Sequence, residues 1–494
     1  MGRLLGFGLI SFTALCAQSQ PDAMFRTGVK LVQVSVIAQD KQGKPVVDLR
    51  RDGFQIFDNG SPQEIRLFLA ETEKSDPAAP EIKAPNSFTN RIASPAGSHS
   101  GYSVILIDDL FSGSDPTNEE GSSLSRARAL RMLRSIPPGE RIAIYAPGRK
   151  LAVICEFTSD RDLLERQLRK WKPTPTTPAP EPRPSLQTQI NPQMRGDAAA
   201  EMARVDELQR ASAGDFEMNA VADHLAGIPG RKNLIWLANK FFIGPRALQS
   251  LVRAGVSSYP VDIDGVCRLC PERPKDMMNA VAELTGGVAY YGRNDIDVAI
   301  REAMDDGRVS YTLGFYHSSD SQVDQQVHRL TVRVGRPGVT LRYRTSYTAE
   351  PARPTSADPV ADLVQALNRP VDATAIPIKA SAMRVQDHLN LEATLDAESL
   401  DLMPDRDLWR GKIEVVARFT TADGIVVGDV FSNTITLNLR QAAYDAALRD
   451  GLAYHNVELK IPANAVELKL LFANPASGKI GTLIIPLSEV KAVN

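Results

Sequence analysis

The sequence predicts an α/β protein: a doubly wound, mostly parallel sheet, flanked by a small N-terminal all-β module and a C-terminal β-sandwich. Three observations lead there. The chain has 494 residues, which suggests about three domains at roughly 150 residues each. Between residues 102 and 316, apolar runs alternate with helical patterns, as in parallel strands covered on both faces. On either side, short β-type runs are separated by regular turn signals. A hydrophobic fraction of 43% excludes wholesale disorder. Lys and Arg total 57 against 59 Asp and Glu, so no bulk positive field exists for nucleic acid. Four cysteines are too few to build a disulfide scaffold.

The chain opens with Arg3, an apolar run from Leu4 to Leu15, and small residues before Gln18. This is the grammar of a secretory signal peptide over 1–17, with an uncleaved anchor as the alternative. No later segment is long and apolar enough to cross a membrane, so the expectation is an exported protein, periplasmic or extracellular. Export makes Cys267-Arg268-Leu269-Cys270 a candidate local disulfide. A zinc site needs a second ligand pair, and none of the six histidines comes in a ligand-like pair along the sequence. Cys155, in the apolar run 151–157, reads as a buried thiol.

Residues 25–70 form the N-terminal module: VKLVQVSVI (29–37) alternates as a strand, and Asp58-Asn59-Gly60 is a hairpin signal between Phe54–Phe57 and Glu64–Phe68. Residues 71–100 are polar and rich in Pro, Ser and Ala, and read as a linker. In 101–348, strands are expected at 103–107, 141–146, 151–157, 233–238, 256–261, 288–291 and 310–316. Helices are expected at 123–136, 160–171, 245–253, 276–285 and 295–305. A Pro-rich insert lies near 172–215. Residues 327–334 and 339–344 form a β pair, and 349–364 is a second linker. From 365 to 494, seven β-type runs with turn signals predict the sandwich, with one short helix near 441–448.

Three stretches together carry a resemblance. They are VSVIAQDKQGKPVVDLRRDGFQIFDNGSPQEIRLF (34–68); YSVILIDDLFSG (102–113) with PPGERIAIYAPGRKLAVICEFTSD (137–160); and GRKNLIWLANKF (230–241) through VSSYPVDIDG (256–265), AELTGGVAYYGRNDI (282–296), SYTLGFY (310–316) and HRLTVRVGRPGVTLRYRTSYTA (328–349). In order and spacing they resemble the von Willebrand factor A fold, and more narrowly the VWFA-related family of acidobacteria. The resemblance implies a metal site at the carboxyl ends of the parallel strands, built from Asp-x-Ser-x-Ser, a later Thr, and an Asp after the central strand. Asp108 matches the first Asp and Ser112 the second Ser, but Leu110 replaces the first Ser. Asn239 falls where the later Asp would be, followed by Lys240, and only Ser212 or Asp215 stand loosely for the Thr. Too few oxygen ligands remain for a hard cation, so a degenerate site with no resident cofactor is expected. Asp262 and Asp264 end a strand at the same edge and read as solvated turn carboxylates.

No Gly-x-Ser-x-Gly elbow, phosphate loop, dinucleotide fingerprint or His-Glu-x-x-His appears in the sequence. The expectation is therefore an exported, non-enzymatic protein–protein interaction protein, an adhesin or scaffold, that presents Asp108, Ser112, Asn239 and Asp262 to a protein partner. Two alternatives stand beside it: Mg²⁺-dependent adhesion, and a thiol–disulfide protein using Cys267 and Cys270.

Overall fold

Seven consecutive buried residues in each of YSVILID and KNLIWLA are what a strand between two helical layers requires. In the computed structural model they are β6 (Tyr102–Asp108) and β9 (Lys232–Ala238), the centre of a five-stranded sheet. The structure describes residues 30–71, 85–92, 101–108, 127, 130–134, 136, 140–147, 151–172, 215–228, 230–238, 241–266, 275–317, 327–348 and 359–491. The expected signal peptide and Pro-rich insert lie outside these residues, except for the insert's ends at 172 and 215.

The strand order is β10-β9-β6-β7-β8, where β7 is Arg141–Ala146, β8 Ala152–Thr158 and β10 Val256–Asp262. β10, β9, β6 and β7 run parallel, and β8 closes one edge antiparallel to β7. On one face pack the helices at 215–225, Pro245–Arg253 and Lys275–Thr285, through Val221, Leu225, Leu251 and Val281. On the other face pack helical residues 130–134 and the helices Arg161–Lys170 and Ile296–Asp305, through Leu133, Leu168 and Ile300. The mixed α/β class with a mostly parallel central sheet is thus observed, together with further antiparallel sheets. The expected strand at 288–291 is reduced to a single parallel bridge, Tyr290 to Val261.

The last strand of the expected parallel sheet lies elsewhere. Residues 310–316 were expected in the parallel sheet. Instead β11 (Ser310–His317) lies antiparallel between β1 (Lys30–Gln39) and β4 (Leu67–Glu71). Tyr311, Leu313 and Phe315 share one core with Val32, Val34 and Val36, so burial against the N-terminal strands decides the pairing. A facing sheet holds β2 (Phe54–Asp58), β3 (Ser61–Gln63), β12 (Val327–Val334) and β14 (Ser346–Thr348). The expected pairing of 327–334 with 339–344 does not form: β13 (Thr340–Arg342) adds to the edge of β1, while β12 pairs with β14 and β2. The N-terminal strands and the strands after the α/β domain therefore build one sandwich. Asn59 and Gly60, at φ 47° and 85°, form the turn that the Asp-Asn-Gly signal anticipated, but the return strand is β3 and not Glu64–Phe68, whose Leu67 and Phe68 belong to β4 beside β11.

The C-terminal region is a second sandwich. Ile378–Val385 (β15), His388–Leu395 (β16) and Leu452–Lys460 (β20) face a sheet of Met403–Asp405 (β17), Leu408–Thr420 (β18), Val426–Arg440 (β19), Glu467–Ala473 (β21) and Ile480–Pro486 (β22). The long run Val426–Arg440 is one continuous strand, β19. Two segments read as linker carry structure. Residues Ser87–Thr89 (β5) pair with β15, and Pro359–Asn368 is a helix. This sandwich docks on the α/β domain through residues 369–374: Thr374 N–H donates to Asp223 O (3.1 Å), Gly227 N–H donates to Thr374 Oγ1 (2.8 Å), and Arg369 pairs with Asp223.

Candidate functional site

The carboxyl ends of β6, β9 and β10 finish on one rung, with Asp108 and Asp262 both in register with Ala238. Strand spacing places the two aspartates roughly 10 Å apart at Cα, on either side of the central strand. Alternation sends both side chains to the face that carries Trp236. Asp108 is 4% exposed, and its Oδ2 accepts a hydrogen bond from the indole N–H of Trp236 at 2.8 Å. Trp236 is itself buried and held edge-on by Phe241, ring centroids 5.1 Å apart. A charged group can remain in so dry a place because it is hydrogen-bonded.

Asp262 is a turn carboxylate, as expected, but it is not solvated: it is 2% exposed. Its Oδ1 accepts the N–H of Asp264 at 3.0 Å, and its own N–H donates to Tyr290 O at 2.8 Å. Ile263 and Gly265 of the same loop are buried with it, while Asp264 and Val266 are exposed. Asp215, one of the loose candidates, does reach this edge. Its Oδ1 accepts the N–H of Gly244 at 2.5 Å in the loop after β9. A Cβ at Gly244 would lie 2.0 Å from Asp215 Oδ2, so glycine is what lets the carboxylate close on the backbone. Ser112, Asn239, Cys267 and Cys270 lie outside the described residues, as do Leu110, Ser212 and Lys240. Two exposed apolar side chains stand in the loops beyond the same strand ends, Phe242 after β9 and Val266 after β10.

Cys155 is a buried free thiol, and burial followed by the neighbouring Glu156 carboxylate pushes its pKa up, which makes it a poor nucleophile. At the same edge strand, His224 Nε2 faces Glu156 Oε2 at 3.5 Å, and the Tyr145 hydroxyl donates to that oxygen at 3.0 Å. Desolvation opposes the imidazolium, but Glu156 and the Asp372 carbonyl 2.6 Å from Nδ1 outweigh it and raise the His224 pKa.

A second constellation escaped the sequence reading. Asp58 at the end of β2, His317 at the end of β11 and His328 in β12 bring one ligand atom each within 4.8 Å of one another. Asp58 Oδ1 lies 2.9 Å from His328 Nδ1, and Asp58 Oδ2 lies 3.5 Å from His317 Nδ1. Tyr347 in β14 donates its hydroxyl to Asp58 Oδ2 at 2.7 Å and contacts His317 Nδ1 at 3.0 Å. Among the described residues this is the one group of three His, Cys, Asp or Glu that could share an ion. His317 and His328 do not form a ligand-like pair along the sequence, but the fold brings them together. The pair is spread over strands of two sheets, and only the β11 pairing brings it together.

The chain is similar in structure to von Willebrand factor A proteins. A von Willebrand factor type A protein from Catenulispora acidiphila aligns at 11% identity over 61% of this chain and 75% of that one, with a TM-score of 0.29. The vWF domain of the type V pili tip protein Mfa5 from Porphyromonas gingivalis aligns at 15% identity over 33% and 41%, with a TM-score of 0.19. The conserved hypothetical protein BatB from Bacteroides thetaiotaomicron aligns at 10% identity over 42% and 97%, with a TM-score of 0.26. No protein-family model matches the chain, and no curated protein matches it. The assignment of an A-like α/β domain rests on the strand order and directions above. No helix among the described residues is long and apolar enough to cross a membrane.

Proposed function

We propose that this is an exported, non-enzymatic protein–protein interaction protein of the VWFA-related acidobacterial type, an adhesin or scaffold. Its A-like domain meets a protein partner with the strand-tip loops, and the metal site of that edge is degenerate. The observation that carries the reading is Asp108. The one residue that keeps the first metal-ligand position is buried and holds the Trp236 indole N–H. Asp262 and Asp215 are likewise committed to backbone N–H groups of their own loops. Carboxylates spent on loop geometry shape a rigid edge, and rigid edges with loops that vary are where binding residues sit. Phe242 and Val266 give that edge apolar contacts of the kind that anchor interfaces.

The test is a photo-crosslinking amino acid placed at position 242 of the full chain in its native envelope. The reading expects one dominant crosslinked protein, lost when Val266→Asp is introduced beside it. Diffuse labelling, or a dominant product indifferent to Val266→Asp, counts against the strand tips as the docking surface.

A further inference from the structure

We infer that Asp58, His317 and His328 form a binding site for a borderline divalent cation of the zinc type, one that clips together the two sheets of the N-terminal sandwich. The donor set selects the class. Two imidazole nitrogens and one carboxylate oxygen suit Zn²⁺ and its late first-row neighbours, whereas Mg²⁺ and Ca²⁺ take oxygen ligands. The spacing fits as well. A cation bonded at about 2.0–2.2 Å holds its ligand atoms roughly 3–3.5 Å apart in a tetrahedral site. Asp58 Oδ1 stands 2.9 Å from His328 Nδ1 and Oδ2 stands 3.5 Å from His317 Nδ1, and one atom from each residue lies within 4.8 Å of the others, so a small side-chain shift closes the three on one ion.

The supporting groups are in place. Asp58 is fixed at the strand end by the Asn59-Gly60 turn, and Asn59 Oδ1 accepts the Arg329 N–H at 2.9 Å. Tyr347 holds Asp58 Oδ2, which aims the other oxygen at His328 and makes Tyr347 a positioning residue. When the cation binds, each Nδ1 offers a lone pair and any proton it carried leaves to solvent. His317 turns its Nδ1 from the Tyr347 hydroxyl to the ion. Access exists because the His317 side chain is 17% exposed, against 7% for His328 and 8% for Asp58. Three protein ligands leave a fourth position for water. His317 belongs to one sheet, and Asp58 and His328 to the other, so the ion would join strands that are distant in the sequence.

The experiment uses the chelator-treated full chain, without a histidine tag and carrying Cys267→Ser and Cys270→Ser, so that those thiols cannot bind the probe. Co²⁺ is titrated and read by its visible d–d absorption, then displaced by Zn²⁺. The inference expects one saturable equivalent and a raised thermal midpoint with Zn²⁺. His317→Ala, at the most exposed ligand, abolishes the band while the far-ultraviolet circular dichroism stays native. Asp58→Asn keeps an acceptor for Tyr347 but loses the charge, and weakens binding. Tyr347→Phe keeps the band shape and weakens affinity by about 10–100-fold. Absence of a saturable band at millimolar Co²⁺ overturns the site. So does a band that survives His317→Ala or His328→Ala. Neither outcome bears on the strand-tip reading, which uses different residues.

Discussion

The carboxyl of Asp372 sits where the C-terminal sandwich meets the A-like domain, accepting from Thr482 Oγ1 at 3.0 Å and from the Ile484 N–H at 3.3 Å. Desolvation pushes its pKa from 3.8 up to about 6, against the pull of those two donors and of His224. The folded chain therefore binds this proton more tightly than the unfolded chain. Between 3.8 and about 6 the folded state holds more protons, so Asp372 makes stability fall as pH rises through that window. His224 acts in the next window. Its raised pKa means that its contribution is complete below 6.5 and is lost as pH rises through the folded value. Urea midpoints measured across pH should thus show Asp372→Asn flattening the decline in the acidic window and leaving the decline above 6.5 in place. A wild-type slope unchanged by Asp372→Asn would contradict this assignment. Asp108 teaches a related lesson. Its position was legible, because a buried strand ending in aspartate marks a sheet edge, but its role was not. Nothing in the sequence says that Trp236, two residues before the end of the neighbouring strand, turns its N–H toward it.

At the level of elements, strands covered on both faces were readable because an unbroken apolar run has few other uses. β6, β7, β9 and β10 appear where expected. What the sequence did not reveal was partnership. SYTLGFYH reads as a strand in either context, and only packing against Val32, Val34 and Val36 places it in the sandwich. The same ambiguity hid the Asp58–His317–His328 group, since its members become neighbours through that pairing alone. The Gly286-Gly287 pair follows the helix Lys275–Thr285, and its second residue has a packing duty. A Cβ at Gly287 would lie 1.9 Å from the carbonyl oxygen of Ser258, so this glycine lets the chain pass directly against β10. Gly287→Ala should destabilise the chain by about 1–3 kcal/mol through overpacking, seen as a lower urea midpoint with an unchanged slope. A variant as stable as the parent would show that the backbone here yields without cost.

Across the whole molecule, the N-terminal strands and the strands after the A-like domain are one folding unit, and this changes which pieces can stand alone. Cutting the chain to 98–350 strips β11 of both its partners, β1 and β4, and strips β12 of β2. Such a fragment exposes Tyr311, Leu313 and Phe315 along an unpaired strand, a surface that invites aggregation. Size-exclusion chromatography should find 98–350 in the void volume and a fragment of 30–348 eluting as a discrete species. A monodisperse 98–350 would mean that the A-like domain folds without the sandwich. Arg231 ties the two units from within. It is buried, and it donates to Ser35 Oγ at 3.1 Å in β1 and to Tyr259 OH at 2.7 Å in β10. Calorimetric titration of Mg²⁺ into the full chain beside Asp108→Ala separates a hydrogen-bonded strand-tip scaffold from a working cation site. A scaffold gives no saturable heat that depends on Asp108. Saturable Mg²⁺ binding in the parent that disappears in Asp108→Ala would contradict it and make the cation the bridge to the partner.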